Sequence, residues 1–246
     1  LLDSSTLGKV LVKGPDAAKF LDLIYTNKMS TLPVGKCRYG LMCTEAGFVF
    51  DDGVVARLTN DSFLCHTTSG GSDRVYAWFE EWLQTEWFDF EVYVSNLTEQ
   101  YSQINVVGPN SRKLLQRLKG ISLLDSKLPF MHFTEGFLDK IWVRVYRISF
   151  SGELSYELAV KSNDAAMLWE KLINLGNDFK VEPYGTEALH ILRAEKGFIV
   201  VGDETDGTVT PQDLGMNWIV SKKKEDFIGK KALNLPFLNK KNRKQL

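Results

Sequence analysis

Two adjacent carboxylates interrupt an apolar run in the stretch "GFVFDDGVVARL" at residues 47–58. If this stretch is one strand, its side chains alternate between two faces, which groups Asp52 with apolar residues and Asp51 with Arg57. A carboxylate among apolar side chains costs several kcal/mol unless it is hydrogen-bonded or paired, and proteins usually keep one there for a purpose. The alternation therefore predicts a functional Asp52 and a structural Asp51.

A hairpin is the alternative interpretation, because Asp52 is followed by Gly53 and Asp-Gly is a common hairpin signal. Such a turn would leave only 48–50 as the first strand, since "EAG" at 45–47 already breaks the chain, and most strands are longer. A bulge at Gly53 could instead turn Asp52 toward backbone amides or a neighbouring Lys or Arg. We favour a continuous strand at 48–58.

Two further ionisable residues lie in apolar segments. Glu157 in "SGELSYELAV" shares a strand face with Ser155, and an exposed strand face explains this pattern equally well. Arg193 in "GTEALHILRAEKG" lies four residues after Leu189 and hence on the same helical face. A surface ion pair with Glu187 is the alternative for Arg193.

Two segments of the chain repeat one pattern, "VLVKGPDAAKFLDLI" at 10–24 and "INVVGPNSRKLLQRL" at 104–118. Each reads as a strand, a Gly-Pro turn and an amphipathic helix, with Asp16 or Asn110 placed to cap the helix. This repetition predicts an internal duplication.

The remaining elements follow each repeat in a similar order. We predict strands at 38–44, 48–58, 62–68, 90–97, 140–150 and 154–160, and helices at 71–85, 163–176 and 185–197. The fold class is α+β, with two ferredoxin-like units that contain antiparallel sheets. We place the first unit at 1–100, the second at 101–220 and a basic linker at 221–246.

Composition excludes several function classes. The 246-residue chain is 44% hydrophobic, enough for a sizeable core, and no apolar run approaches the roughly 20 residues that a membrane span needs. No GxGxxG or GxxxxGK[ST] motif indicates a dinucleotide or P-loop site. The chain starts at Leu1 without an export signal, so we expect a fragment or a processed product, with no membrane partner.

Cysteine and histidine spacing argues against a metal. Cys37, Cys43 and Cys65 are odd in number and have no CxxC spacing, and no two histidines lie at i, i+4 on one predicted helix. We therefore expect neither a disulfide scaffold nor a metal site, and a reduced, cytoplasmic compartment.

The segment 221–246 carries nine Lys or Arg residues against Glu225 and Asp226. A basic tail can bind nucleic acid. No aromatic residue interleaves in the final "NKKNRKQL", so we interpret the segment as a solvated linker and expect no nucleic-acid partner.

Five motifs together carry a family resemblance. They are "RYGLMCTEAGFVFDDGVVARL", "VVGPNSRKLL", "SFSGELSYE", "PYGTEALHILRAEKGFIVVG" and "GTVTPQDLGMNWIVSKKKEDFIGKKAL". In this order, over nearly the whole chain, they resemble the folate-binding, aminomethyltransferase-like portion of heterotetrameric sarcosine oxidase alpha subunits. The broader superfamily includes the glycine cleavage T-protein. The resemblance implies a T-protein-like fold whose C-terminal β-barrel is missing from this chain.

The resemblance also implies a tetrahydrofolate site. Asp52 matches the family's acidic residue that orients and activates the folate nitrogens, and would be the catalytic residue. Tyr39 matches a folate-lining Tyr, Glu157 matches the Glu that recognises the pterin, and Thr67 lies where the T-protein contacts the pterin. A carboxylate such as that of Glu157 can accept two parallel N–H bonds from an aminopyrimidine edge.

One position departs from the family pattern. The T-protein carries an Arg in an "ARD" motif where this chain has Leu189. Arg193, four residues later, can reach the same region, but helical spacing alone supports it as a folate-binding residue.

The activity implied by the resemblance is formation of 5,10-methylenetetrahydrofolate from the oxidised methyl group of sarcosine. Flavin and NAD would be bound only by other regions or by the other subunits of the complex. A free-standing aminomethyltransferase of glycine cleavage is the alternative, disfavoured by "ALH" in place of "ARD". A non-catalytic folate-binding module is a third hypothesis, and truncation could leave this chain inactive on its own.

Overall fold

A computed structural model describes residues 1–238, whose contacts divide into two compact units. Unit 1 contains Leu1–Leu7 and Leu97–Phe198, and unit 2 contains Gly8–Asn96 and the chain from Ile199 onward. The chain therefore passes between the units three times. No helix in this part of the chain is long and apolar enough to cross a membrane.

The described residues form ten strands and six α-helices. The strands are β1 Leu2–Asp3, β2 Gly8–Lys13, β3 Cys37–Cys43, β4 Val49–Thr59, β5 Ser62–Thr67, β6 Tyr93–Asn96, β7 Tyr101–Val107, β8 Phe133–Leu138, β9 Ile141–Tyr146 and β10 Ser155–Lys161. The α-helices are α1 Ala17–Ile24, α2 Ser72–Thr85, α3 Ser111–Leu115, α4 Ala165–Leu175, α5 Thr186–Lys196 and α6 Lys230–Leu233.

Each unit is built on one five-stranded antiparallel sheet. The order is β1-β7-β10-β9-β8 in unit 1 and β3-β4-β5-β2-β6 in unit 2. All strand pairs in both sheets are antiparallel. The predicted α+β class with antiparallel sheets is thus confirmed.

Helix α1 shows how the sequence builds the core of unit 2. Its buried residues Ala17, Phe20, Leu21 and Ile24 recur at helical spacing and form one apolar face. Asp16 and Asn110 occupy the N-cap positions of α1 and α3 as predicted, but neither makes a side-chain cap hydrogen bond. The Asp16 carboxylate instead accepts the backbone N–H of Glu91.

The pairing of β3 with β4 contains a bulge. Met42 pairs with Asp51, but Cys43 pairs with Val49, so that Phe50 is an extra residue. The strand is nonetheless continuous through Asp52 and Gly53, which excludes the hairpin interpretation, and the bulge does not lie at Gly53 as one alternative proposed.

Because of this register, Asp51 lies on the face that carries Met42, Val55 and Cys65, all of them buried in the main core of unit 2. Asp51 is 0% exposed. The prediction that Asp51 lies on a face of mixed polarity was therefore wrong. Residues paired across strands share a face, and the neighbours of Asp51 on this face are apolar.

The segment predicted to be a linker is packed in its described part. Phe227, Ile228 and Leu233 are buried in apolar clusters of unit 2, and Lys224 is 6% exposed. Lys240, Lys241, Arg243 and Lys244 lie outside the described residues. Each compact unit joins two segments that are distant in sequence. The division into 1–100, 101–220 and 221–246 as duplicated units and a linker stays a prediction.

Candidate functional site

Tyr39 and Asp52 form a hydrogen-bonded pair in unit 2. Leu41 of β3 is paired with Asp52 of β4, so Tyr39, two residues before Leu41, lies diagonally across from Asp52 on the same face. The Tyr39 hydroxyl donates to Asp52 Oδ2 at 2.5 Å. Two strands of one sheet therefore fix both side chains.

The environment of Asp52 favours its protonated form. Burial raises its pKa to about 7, the Tyr39 hydrogen bond opposes this shift, and the Asp51 charge adds to it. Burial, followed by the charge of Asp52, raises the pKa of Tyr39, which stays a hydrogen-bond donor at neutral pH. A carboxyl that titrates near neutrality can both give and take a proton, as general acid–base chemistry requires.

Trp218 lies next to this pair and was missed by the sequence analysis. Its indole stacks on the Tyr39 ring with centroids 6.4 Å apart and an interplanar angle of 30°. The side chain is 71% exposed, which is unusual for so large an aromatic group. The sequence shows a Trp in the segment "GMNWIV", but sequence alone does not show which residues the ring contacts.

The segment from Ile199 to Val220 holds Trp218 in place. Met216 and Ile219 on either side of it pack with Leu41 and Val49 in an apolar cluster. The backbone N–H of Val49 also donates to the carbonyl of Val209 at 2.8 Å. A segment distant in sequence thus completes the surroundings of Asp52 within unit 2.

Thr67 is the last residue of β5 in unit 2, and its side chain bonds to the backbone that follows the strand. It is 2% exposed, and its hydroxyl donates to the carbonyl of Thr68 at 2.9 Å. A Cβ at Gly8 would lie 2.0 Å from Thr67 Oγ1, so the close approach of residue 8 to Thr67 needs a glycine. A ligand contact from Thr67 stays a prediction.

Glu157 lies in β10 of unit 1 and is 6% exposed. Six consecutive residues of this strand are buried, so the exposed-face interpretation was wrong. The Glu157 carboxylate accepts a hydrogen bond from Gln103 Nε2. Burial, and then the charge of Glu157, raise the pKa of Tyr184 to about 12.

Two buried polar atoms lie near Glu157. Gln103 Oε1 and the Tyr184 hydroxyl are buried and have no hydrogen-bond partner among residues 1–238. Buried polar atoms normally have a partner, and an exception calls for an explanation such as a missing ligand or water. An acceptor, a phenol and a carboxylate together suit a polar ring that carries N–H and carbonyl groups.

Arg193 is the one buried residue of helix α5, at 7% exposure. Its Nη1 donates to the carbonyl of Phe198 at 3.1 Å, which ties the helix to the turn after Gly197. Burial argues against the surface ion pair with Glu187. Leu189, at the family's Arg position, is half-buried.

The structure brings together Tyr39 and Asp52 and adds Trp218 to them. Glu157 and Arg193 both belong to unit 1. In the part of the chain that the structure describes, no group of three or more His, Cys, Asp or Glu side chains is arranged to hold a metal ion.

Two units, each built on an antiparallel sheet, define an α+β protein. Residues 1–224 match the family model described as the GCVT N-terminal domain. The chain therefore belongs to the GCVT family.

Among relatives, the chain is 50% identical over its whole length to "Sarcosine oxidase subunit alpha" of Corynebacterium sp. (strain P-1). It is 40% identical to the protein of that name from Rhizobium meliloti (strain 1021), also over its whole length. An "Aminomethyltransferase" from Halothermothrix orenii is 33% identical over 95% of the chain and 63% of its own length. The chain spans about a quarter of the sarcosine oxidase subunits, 26% and 25% of their respective lengths.

A solved structure supports the T-protein-like fold. The glycine cleavage system aminomethyltransferase T from Bartonella henselae superposes with a TM-score of 0.81 at 28% identity, covering 94% of this chain and 61% of that one. Heterotetrameric sarcosine oxidase from Corynebacterium sp. U-96, in complex with pyrrole 2-carboxylate, gives a TM-score of 0.53 at 16% identity over 73% of this chain and 84% of that chain, and shows the fold alone.

Proposed function

We propose that this chain is the tetrahydrofolate-dependent one-carbon acceptor region of a sarcosine oxidase alpha subunit. The product would be 5,10-methylenetetrahydrofolate, formed from the oxidised methyl group of sarcosine. The observation that carries the proposal is the buried Asp52 carboxyl, whose pKa burial raises to about 7 and whose hydrogen-bond partner Tyr39 stacks against the exposed ring of Trp218. The 50% identity to such a subunit supports the choice of parent protein.

When bound, tetrahydrofolate supplies the nitrogen atoms that take up the one-carbon unit. Asp52 is the catalytic residue and holds or accepts a proton at its carboxyl oxygens. Tyr39 orients this carboxyl by donating to Oδ2. Trp218 offers a flat apolar face on which an aromatic ring can stack.

Glu157 is the proposed pterin contact, as the family resemblance implies. Glu157 would accept N–H groups of the aminopyrimidine edge, and the buried Gln103 Oε1 and Tyr184 hydroxyl supply further polar contacts. Thr67 and Arg193 stay weaker candidates for folate binding, because the Thr67 hydroxyl and the Arg193 guanidinium both donate to nearby carbonyls.

Calorimetric titration with tetrahydrofolate tests the proposal. We expect the wild-type chain to bind tetrahydrofolate. In the parent oxidase complex, Asp52→Asn should lose the formation of 5,10-methylenetetrahydrofolate, since the amide cannot accept a proton as a base. Asp213→Asn is the matched control, because Asp213 is also buried, at 5% exposure, and accepts hydrogen bonds locally from Thr210. Absence of folate binding by wild-type protein would remove the site assignment.

A free-standing aminomethyltransferase of glycine cleavage is the second candidate. The TM-score of 0.81 to the Bartonella henselae aminomethyltransferase supports it. The two functions differ in the one-carbon donor. If the protein releases ammonia from aminomethyl-lipoyl protein in the presence of tetrahydrofolate, the oxidase assignment is wrong.

The proposal also specifies partners and location. Other sarcosine oxidase subunits would supply the flavin oxidation, and the protein would act in the cytoplasm. A reduced compartment fits the buried thiols of Cys43 and Cys65, whose pKa values burial raises to about 12, so that neither is a reactive thiolate. Co-purification of the full-length parent with flavin-containing subunits tests this part.

A further inference from the structure

Asp51 is bonded directly to the backbone of its catalytic neighbour. Its Oδ1 accepts the backbone N–H of Asp52 at 2.8 Å. The same oxygen lies 3.4 Å from the Thr68 backbone nitrogen, and Oδ2 accepts the Thr68 hydroxyl at 3.2 Å. One fully buried carboxylate therefore links Asp52 to the loop that precedes α2.

The start of α2 closes tightly on this carboxylate. A Cβ added at Gly71 would lie 2.0 Å from Asp51 Oδ2, so only glycine allows the approach. Arg74, in the first turn of α2, donates to the carbonyl of Phe50 at 2.9 Å. Burial raises the pKa of Asp51, and the hydrogen bonds from Asp52 and Thr68 and the charge of Arg74 oppose that shift. The Asp51 side chain is therefore packed closely between its own strand, β4, and the start of α2.

The ionisable groups that face the two carboxylates come from four surrounding elements. They are Tyr39 from β3, Tyr25 after α1, Cys65 from β5 and Arg74 from α2. His66 of β5 is engaged with the Val54 carbonyl at 2.9 Å. Burial is the largest cause that raises the pKa values of Tyr39, Tyr25 and Cys65, so these three groups are neutral at pH 7.

We propose that Asp51 is a positioning residue for Asp52: its buried carboxylate fixes the Asp52 backbone against the start of α2 and places a second acidic group beside the Asp52 carboxyl. The functional meaning of this inference rests on the proposed role of Asp52 in folate chemistry. The proton affinity of Asp52 is a property of the protein alone, however, and can be measured without folate.

Asp51→Asn in the 246-residue chain separates charge from hydrogen bonding. The amide oxygen can still accept the two backbone N–H groups, and the amide NH2 can donate to the Thr68 hydroxyl. We would follow Asp52 by carbon-13 NMR of protein labelled at Asp carboxyl carbons, with the signal assigned through Asp52→Asn. We expect the apparent pKa of Asp52 to fall by about one unit when the neighbouring charge is removed.

Asp213→Asn is the matched control for a purely structural effect. Asp213 accepts the backbone N–H and the hydroxyl of Thr210, both at 2.8 Å, as Asp51 accepts those groups of Thr68. The control should leave the Asp52 titration unchanged. If Asp51→Asn shifts Asp52 no more than this control does, the charge role of Asp51 is overturned.

Thr68→Val provides a second route if Asp51→Asn does not fold. It keeps Asp51 but removes the hydroxyl hydrogen bond that favours the ionised Asp51. We expect Asp51 to titrate at higher pH and Asp52 at lower pH; an unchanged Asp52 would count against the inference.

Folate binding distinguishes this inference from the proposed function. If Asp52 shifts in Asp51→Asn but neither protein binds tetrahydrofolate, the positioning role stands and the proposed function fails. If folate binds with the same pH profile to both proteins and Asp52 does not shift, the positioning role fails and the folate site stands.

Discussion

At neutral pH, Asp52 exchanges between its two protonation states because burial raises its pKa to about 7. An unfolded Asp has a pKa of about 4. The folded protein therefore binds this proton more tightly, and the free energy of unfolding falls as pH rises from about 4 to about 7. Burying an ionisable carboxyl beside Tyr39 therefore lowers the stability of the folded protein above about pH 4.

Asp52→Asn should remove this loss of stability. We expect the variant to be more stable than wild type at pH 8 by about 1–4 kcal/mol, the upper value corresponding to the full pKa difference. At pH 4 the two proteins should differ little. Thermal unfolding at several pH values checks this, and a parallel decrease in both proteins would contradict the assigned pKa.

Trp218 gives a second prediction for a single residue. Since its ring is 71% exposed, Trp218→Ala should weaken tetrahydrofolate binding about 3–10-fold, in keeping with the value of an aromatic stacking contact, with little change in melting temperature. Phe88→Ala is the matched control, because Phe88 is 79% exposed in the same unit. Equal calorimetric affinities in both variants would exclude stacking on Trp218.

At the scale of single elements, Lys224 anchors the end of α1. Its Nζ donates to the carbonyl of Tyr25, the residue after α1, and lies 3.3 Å from the carbonyl of Asn27. Burial lowers the pKa of Lys224 to about 8. A cation at the end of a helix interacts favourably with its last carbonyls.

Lys224→Met should therefore destabilise unit 2, by about 1–3 kcal/mol for a charged hydrogen-bond donor removed from buried carbonyls. Lys223→Met is the control, because Lys223 is exposed one position earlier. Denaturant unfolding measures both. A solvated-linker role for this segment would make the two variants equivalent, and that result would contradict the contacts at Tyr25.

Elements with strong local patterns were predictable from sequence, and those that depend on distant partners were not. The alternation that predicted β4 and the Gly-Pro turn before α1 are local signals. The bulge at Phe50 depends on how β3 pairs with β4, and β1 is only two residues long. Strand β8 was missed because "FTEGFL" has no clean alternation and contains a glycine.

Within the candidate site, sequence pattern selected Asp52 but misjudged the surroundings of Asp51. The family resemblance added Tyr39, whose hydrogen bond to Asp52 needs two strands in register. No local pattern could place Trp218 over Tyr39, since the two residues are far apart in sequence and a covering segment holds them together.

At the scale of the whole molecule, unit 2 is assembled from two distant parts of the chain. Met216 and Ile219 cover Leu41 and Val49, and Ile228 packs in the core that contains α1. Residues 8–96 alone would therefore leave apolar surface exposed near Asp52. Burial of such surface contributes about 25 cal/mol per Å², so its loss is costly for a small unit.

Two polypeptides test this assembly. Residues 8–96 alone should fail to unfold cooperatively and should bind a hydrophobic dye, because the sheet face that carries Leu41 lacks its cover. Residues 8–96 joined to 199–246 by a flexible Gly/Ser linker of about 20 residues should unfold cooperatively and keep the contact between Tyr39 and Trp218. Indole fluorescence and denaturant unfolding compare them, with Met216→Asp in the joined polypeptide as the control that removes the cover alone. Cooperative unfolding of 8–96 by itself would show that the site of Asp52 folds without the returning segment.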